Sequence, residues 1–328
     1  MLNPFIDAHV HLNTRSEAKM KLAKKYNVSF LSINTEIPFF ESVEDQQQVI
    51  HDLEAKFPNM TKFITSFDTK YWNTDKWLPR ALQLIKTGLE NGAVGVKIWK
   101  NIGMDPDIKD KDGNFVLLDD ERFDPIYQYL VDNDILLIGH QGEPRNCWLP
   151  LEEMTVDSDR NYFSEHPEYH MHLLPEYPSY EAQMEARDNV LKKFPDLKYV
   201  GLHLFSMEWS IDEVAKRLDA YPNTMTDLAE RICHVQLQAK DDHKKVRDFF
   251  IKYQDRIIYG TDVIDDGSMD DETLTNKFET LWLNHWDFFA TDKTLTAPEF
   301  KGTFKGLELP EEVLEKIFRT NAIKTYQF

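Results

Sequence analysis

Short runs of β-branched, aromatic and other apolar residues alternate with amphipathic stretches from one end of the chain to the other. Eight runs read as strands: "FIDAHVHL" (5–12), "VSFLSI" (28–33), "KFITSF" (62–67), "AVGVKIW" (93–99), "ILLIGH" (135–140), "KYVGLH" (198–203), "NTMTDL" (223–228) and "RIIYGTD" (256–262). Between them apolar positions recur at helical spacing. Ile211, Val214, Ala215 and Leu218 do so behind Ser210 and Glu213, which stand in the spacing of a capping box. Repeated β-then-α order without a Gly/Ser-rich linker predicts a single (β/α)₈ barrel domain over 1–328, with a doubly wound open sheet as the competing arrangement.

Strand spacing is roughly 30 residues at first and widens to roughly 60 between the fifth and sixth runs, a length that usually signals a functional insertion. Residues 141–180 are therefore expected to form a lid. A second expansion, an extended loop after the eighth strand, runs from Asp262 to about Leu309. Pro310 then opens a final helix with Val313, Leu314, Ile317 and Phe318 on its apolar stripe.

Composition narrows the partners. The 328 residues carry 57 acidic and 38 basic side chains, a formal net charge of −19, which repels nucleic acid and anionic membrane surfaces. A small-molecule substrate remains, even an anionic one, because a bound cation can invert the potential inside a pocket. Cys147 and Cys233 form neither a CxxC pair nor a disulfide framework, which fits a reducing compartment. With no signal-like start and no apolar window near the roughly 18 residues of a membrane span, the expected location is cytoplasmic.

Alternation along a strand brings residues i and i+2 to one face, so His9 and His11 point together. Simple parity places Phe5 and Asp7 with them in the barrel interior and turns Ile6, Ala8 and Val10 toward the helices. Barrel active sites sit at the C-terminal ends of strands. There lie His140, His203, Asp227 and Asp262, and Lys97 points inward on the fourth run. A lone histidine at a strand end is more often a hydrogen-bonded rim residue than a ligand, but here four of the chain's 11 histidines stand in matching register. For Lys97 a structural ion pair with Asp7 or another carboxylate is the competing role. The second HxH, His170 and His172, lies among prolines in the insertion and reads as part of the lid. The acidic run "DVIDDGSMDDE" lacks the ligand spacing of an EF-hand and reads as a solvated loop.

The ordered set of HxH on strand one, histidines closing strands five and six and an aspartate closing strand eight resembles the amidohydrolase superfamily over nearly the whole chain. "IDAHVHL", "GTD" and "IFRTNAIKTYQF" are similar to the branch that includes aminocarboxymuconate semialdehyde decarboxylase, resorcylate-type decarboxylases and several lactonases. The resemblance implies one divalent ion, zinc in the first place, held by His9, His11, His140 and Asp262, with His203 and Asp262 as acid/base groups. It also implies a second ion if Lys97 is carboxylated, in which case His140 and His203 would serve that ion. The implied activity is hydrolysis of an amide, ester or lactone by metal-activated water. The alternative is non-oxidative decarboxylation of a small aromatic or unsaturated carboxylic acid. Arg15, Arg145 and Arg231 are candidates to hold a substrate carboxylate, and Trp148 with other insertion aromatics to contact a planar substrate. Relatives of this kind are often homodimers.

Overall fold

The computed structural model describes residues 4–328. The parallel strands are β1 (Phe5–Leu12), β2 (Val28–Ile33), β3 (Thr61–Ser66), β4 (Val96–Ile98), β5 (Leu137–Gly139), β6 (Tyr199–Gly201), β7 (Thr224–Asp227), β8 (Ile257–Ile258) and β9 (Val263–Asp265), with helices between them. Sheet order is β8-β7-β6-β5-β4-β3-β2-β1-β9. The segments β8 and β9 are the two ends of one run: its start pairs with β7 and its end with β1. That shared run closes the sheet into an eight-stranded barrel, as the alternating pattern predicts.

Two apolar clusters separate the inside of the barrel from its outer layer. Ile6, Ala8, Leu31, Ile33, Ile64, Ile138, Val200, Leu202 and Ile258 come from strands all around the sheet and pack on one another, together with Ala322 and Tyr326 of the last helix, Asn321–Tyr326. Only the barrel interior lets these residues meet. Phe5, Val10, Leu12, Phe30, Val96, Ile98 and Tyr199 instead belong to the cluster shared with the surrounding helices. Burial of each such large side chain contributes roughly 1.5–3 kcal/mol.

This division corrects the simple parity of β1. Ile6 and Ala8 face inward, while Phe5 and Asp7 face the helix Asp271–Ala290, where Phe5 meets Trp282 edge-on at 5.5 Å. The cause is a bulge. Asp7 pairs with Phe30 but Val10 with Ser32, so three steps along β1 match two along β2. The extra residue reverses the alternation, which leaves Val10 outward and turns both His9 and His11 inward.

The stretch 141–179 folds as short helical segments. Its own small core comprises Cys147, Met154, Phe163 and Met171. The expansion after the eighth strand is not an extended loop. It holds the helix Asp271–Ala290 and an antiparallel hairpin of β10 (Thr294–Ala297) and β11 (Phe300–Lys305). Among the described residues no helix is long and apolar enough to cross a membrane.

Candidate metal centre

The bulge in β1 brings His9 against the eighth run, where there is room for nothing larger than glycine. A Cβ at Gly260 would lie 2.7 Å from His9 Cβ and 3.1 Å from its backbone nitrogen. Two residues on, Asp262 adopts a left-handed backbone (φ 62°), and its N–H donates to His9 O at 2.7 Å. Asp7 braces this break from outside. Its carboxylate accepts from Thr261 N–H (2.9 Å), Thr261 Oγ1 (2.8 Å) and Trp282 Nε1 (2.9 Å). Burial pushes the Asp7 carboxyl up to about 6, opposed by those hydrogen bonds.

His9 Nε2 and His11 Nε2 each lie 3.2 Å from Asp262 Oδ1. Inside the barrel, His9 Nε2, Asp262 Oδ1 and His140 Nε2 are buried without a hydrogen-bond partner. Buried ligand atoms without partners at this spacing fit a metal. Ligand bonds of about 2.0–2.1 Å to a tetrahedral ion place donors roughly 3.3 Å apart. His9, His11 and Asp262 form one such group, and His9, His203 and Asp227 a second. Burial disfavours a charged His9, but the Asp262 and Asp227 carboxylates overcome it and raise its imidazole to about 9. Asp262, despite its burial, is held well below the usual carboxylate range by His9 and His11.

His140 stands outside both groups and pairs with His203 instead, Nδ1 to Nε2 at 3.2 Å. His203 Nδ1 donates to Ala229 O at 3.0 Å, which leaves its Nε2 as the acceptor toward His140 Nδ1–H. Burial keeps both rings well below the ordinary histidine range and therefore neutral. His203 Nε2 also lies 3.8 Å from Asp262 Oδ2.

Alternation alone would not deliver His203 to this site. Tyr199 faces the helices, and an unbroken strand would send His203 the same way. Four consecutive residues, His203, Leu204, Phe205 and Ser206, instead take φ between 52° and 59°, a left-handed turn that swings the imidazole inward. Each such non-glycine residue costs about 1–2 kcal/mol. The turn is held by Tyr180 Oη, which donates to Ser206 O at 2.6 Å, by the Arg187 guanidinium on Phe205 O, and by Asp227 Oδ1, which accepts His203 N–H at 2.6 Å.

Lys97 is buried beside these groups and has no ion-pair partner among the described residues. The expected pairing with Asp7 is absent, because Asp7 faces outward. Burial lowers the Lys97 amine to about 8 against the pull of Asp262 and Asp227. The other candidates scatter. Arg15 is exposed and paired with Asp52. Arg145 lies over the Trp209 ring at 4.3 Å, and Trp148 donates Nε1 to Pro178 O within the insertion. His170 is bonded to Leu149 O inside the insertion and His172 is exposed there, away from the metal groups. Arg231 is buried, with one ion-pair partner (Glu230 at 2.6 Å) and a free Nε, and its charge lowers both His140 and His203.

Two contributors are not in the sequence-derived ligand and substrate sets. Asp227 accepts from His9 Nδ1 at 2.6 Å, and its inward register on the seventh run was the available signal. Phe40, in the loop after β2, lies against His11 with ring centroids 5.3 Å apart. Nothing in its local pattern marks it.

The sequence matches the profile of a family described as Amidohydrolase over residues 6–328. No curated protein sequence matches it. Among solved structures the chain is similar to an uncharacterised TIM-barrel protein from Bordetella bronchiseptica (TM-score 0.53, 16% identity, 98% of this chain and 97% of that one). It is similar to 2,6-dihydroxybenzoate decarboxylase from Rhizobium (0.53, 13%, 99% of each chain). A D-hydantoinase from Thermus sp. gives 0.52 and 14%, over 98% of this chain and 70% of that one. At these identities the likeness establishes a shared fold.

Proposed function

The chain belongs to the amidohydrolase family, and from that membership we propose that it is a metal-dependent hydrolase cleaving an amide, ester or lactone bond of a small molecule. The observation that carries this reading is the convergence of His9 Nε2 and His11 Nε2 on Asp262 Oδ1, each at 3.2 Å, with His9 Nε2 and Asp262 Oδ1 buried and without a hydrogen-bond partner. Two imidazoles and a carboxylate suit zinc and leave a position open, so that the ion when bound lowers the pKa of water toward about 7 and polarises a carbonyl. Asp262 Oδ2 takes the proton of the attacking water. Neutral His203, its ring fixed by Ala229 O, receives that proton at Nε2 from Asp262, 3.8 Å away, and passes it to the leaving group. Phe40 supplies an apolar wall beside His11 for the substrate.

Decarboxylation is the second reading, favoured by Arg231, whose buried guanidinium keeps a free Nε suited to a carboxylate. A structural neighbour is a 2,6-dihydroxybenzoate decarboxylase. A second ion, with Lys97 carboxylated, would take the place of the His203–His140 hydrogen bond, His140 giving up its Nδ1 proton. Two ions per chain by elemental emission would establish that variant, and one would exclude it.

Turnover of lactones, amides and aromatic carboxylates, with carbon dioxide detection, separates hydrolysis from decarboxylation. His9→Ala is expected to lose metal and activity together. His203→Asn is expected to keep one ion while turnover falls by roughly 10²-fold or more. Full turnover by a metal-free His9→Ala protein would refute the assignment.

A further inference from the structure

Asp227 closes β7 with no solvent exposure, and its two oxygens do different work. Oδ2 accepts the Nδ1–H of His9 at 2.6 Å, and Oδ1 accepts the backbone N–H of His203 at 2.6 Å. The first bond fixes the His9 ring with its Nε2 turned to Asp262. The second anchors the first residue of the left-handed turn that brings His203 inward. We infer that Asp227 is a positioning residue that sets both halves of the centre at once, the ligand on β1 and the acid/base imidazole after β6. This rests on the metal reading above.

The chemistry requires two acceptors. An asparagine has the shape of the aspartate but only one acceptor oxygen, so one partner must lose its bond. If the amide nitrogen faces His9, the ring must present a lone pair at Nδ1 and carry its proton on Nε2, the atom the ion needs. If it faces His203, a buried backbone N–H is left opposite another donor and the left-handed turn loses its anchor. Gly201 has already yielded its Cβ space to the Phe205 ring of that turn, so the segment has little room to settle elsewhere.

The test combines cobalt(II) affinity, measured by chelator competition, with nitrogen-15 spectra of histidine-labelled protein. In the wild type the His9 Nδ1–H is expected downfield and protected from exchange, with or without metal. In Asp227→Asn that signal is expected to be lost or exposed, and cobalt affinity to fall by about 10–100-fold. Wild-type affinity together with a retained Nδ1–H signal in Asp227→Asn would overturn the inference. If the variant does not fold, the wild-type spectrum still decides it, since an unprotected or absent His9 Nδ1–H contradicts the proposed bond. Failure of the wild type to take up cobalt would sink the metal reading, while the Nδ1–H signal would continue to judge the role of Asp227.

Discussion

Lys97 carries a charge that the protein leaves without an ion-pair partner among the described residues. Its amine falls from about 10.5 in the unfolded chain to about 8 in the folded one, because burial outweighs the attraction of Asp262 and Asp227. The folded state therefore binds the proton less tightly. Below pH 8 the ammonium opposes folding by the full amount, and the penalty fades as pH rises from 8 toward 10.5. Its size is on the order of 3 kcal/mol at neutral pH. Lys97→Met is expected to raise the melting temperature of metal-free protein at pH 7, to raise it far less at pH 10, and to lower turnover at both. An unchanged melting temperature at pH 7 would mean that the ammonium is compensated. Such a cost is tolerated where the residue serves the site. Buried Lys19, by contrast, has a carboxylate partner, Asp265 at 2.5 Å.

Two irregular elements, the bulge in β1 and the left-handed turn after β6, aim the site. Gly260 is the close-contact partner of the first. Gly260→Ala is expected to push on the His9 backbone, cost about 1–3 kcal/mol of stability in chemical denaturation, and weaken metal binding as well. A variant with wild-type metal affinity would show that the contact is not what sets His9. These elements also mark how far the sequence could be read. Strict alternation puts His9 and His11 on one face, and they are; but it puts Asp7 with them, and the bulge does not. It would turn His203 away, and four left-handed residues bring it back. Neither irregularity has a local signature, since no glycine stands within residues 203–206 and the bulge involves Ala8 and His9. Both depend on contacts made far along the chain, with Asp227, Arg187, Tyr180 and the eighth run.

At the scale of the molecule, the β/α alternation is visible in the sequence because each unit buries a local stripe against its neighbours. The expansion after the eighth strand was less legible. Its helix and hairpin are stabilised by distant partners, such as Phe5 against Trp282 and Lys240 over the Phe300 ring. The barrel brings together residues from β1, β4, β5, β6, β7 and the eighth run, so an ion bound there joins both ends of the chain. Metal addition is then expected to raise the melting temperature of metal-free protein in a concentration-dependent way. The most direct measurement is the metal content, by elemental emission, of the wild type and of His11→Ala purified in parallel with zinc supplied. At least one equivalent of divalent metal per wild-type chain and close to none in the variant is expected. Equal metal in both proteins, or none in the wild type, would contradict a centre built on His9, His11 and Asp262.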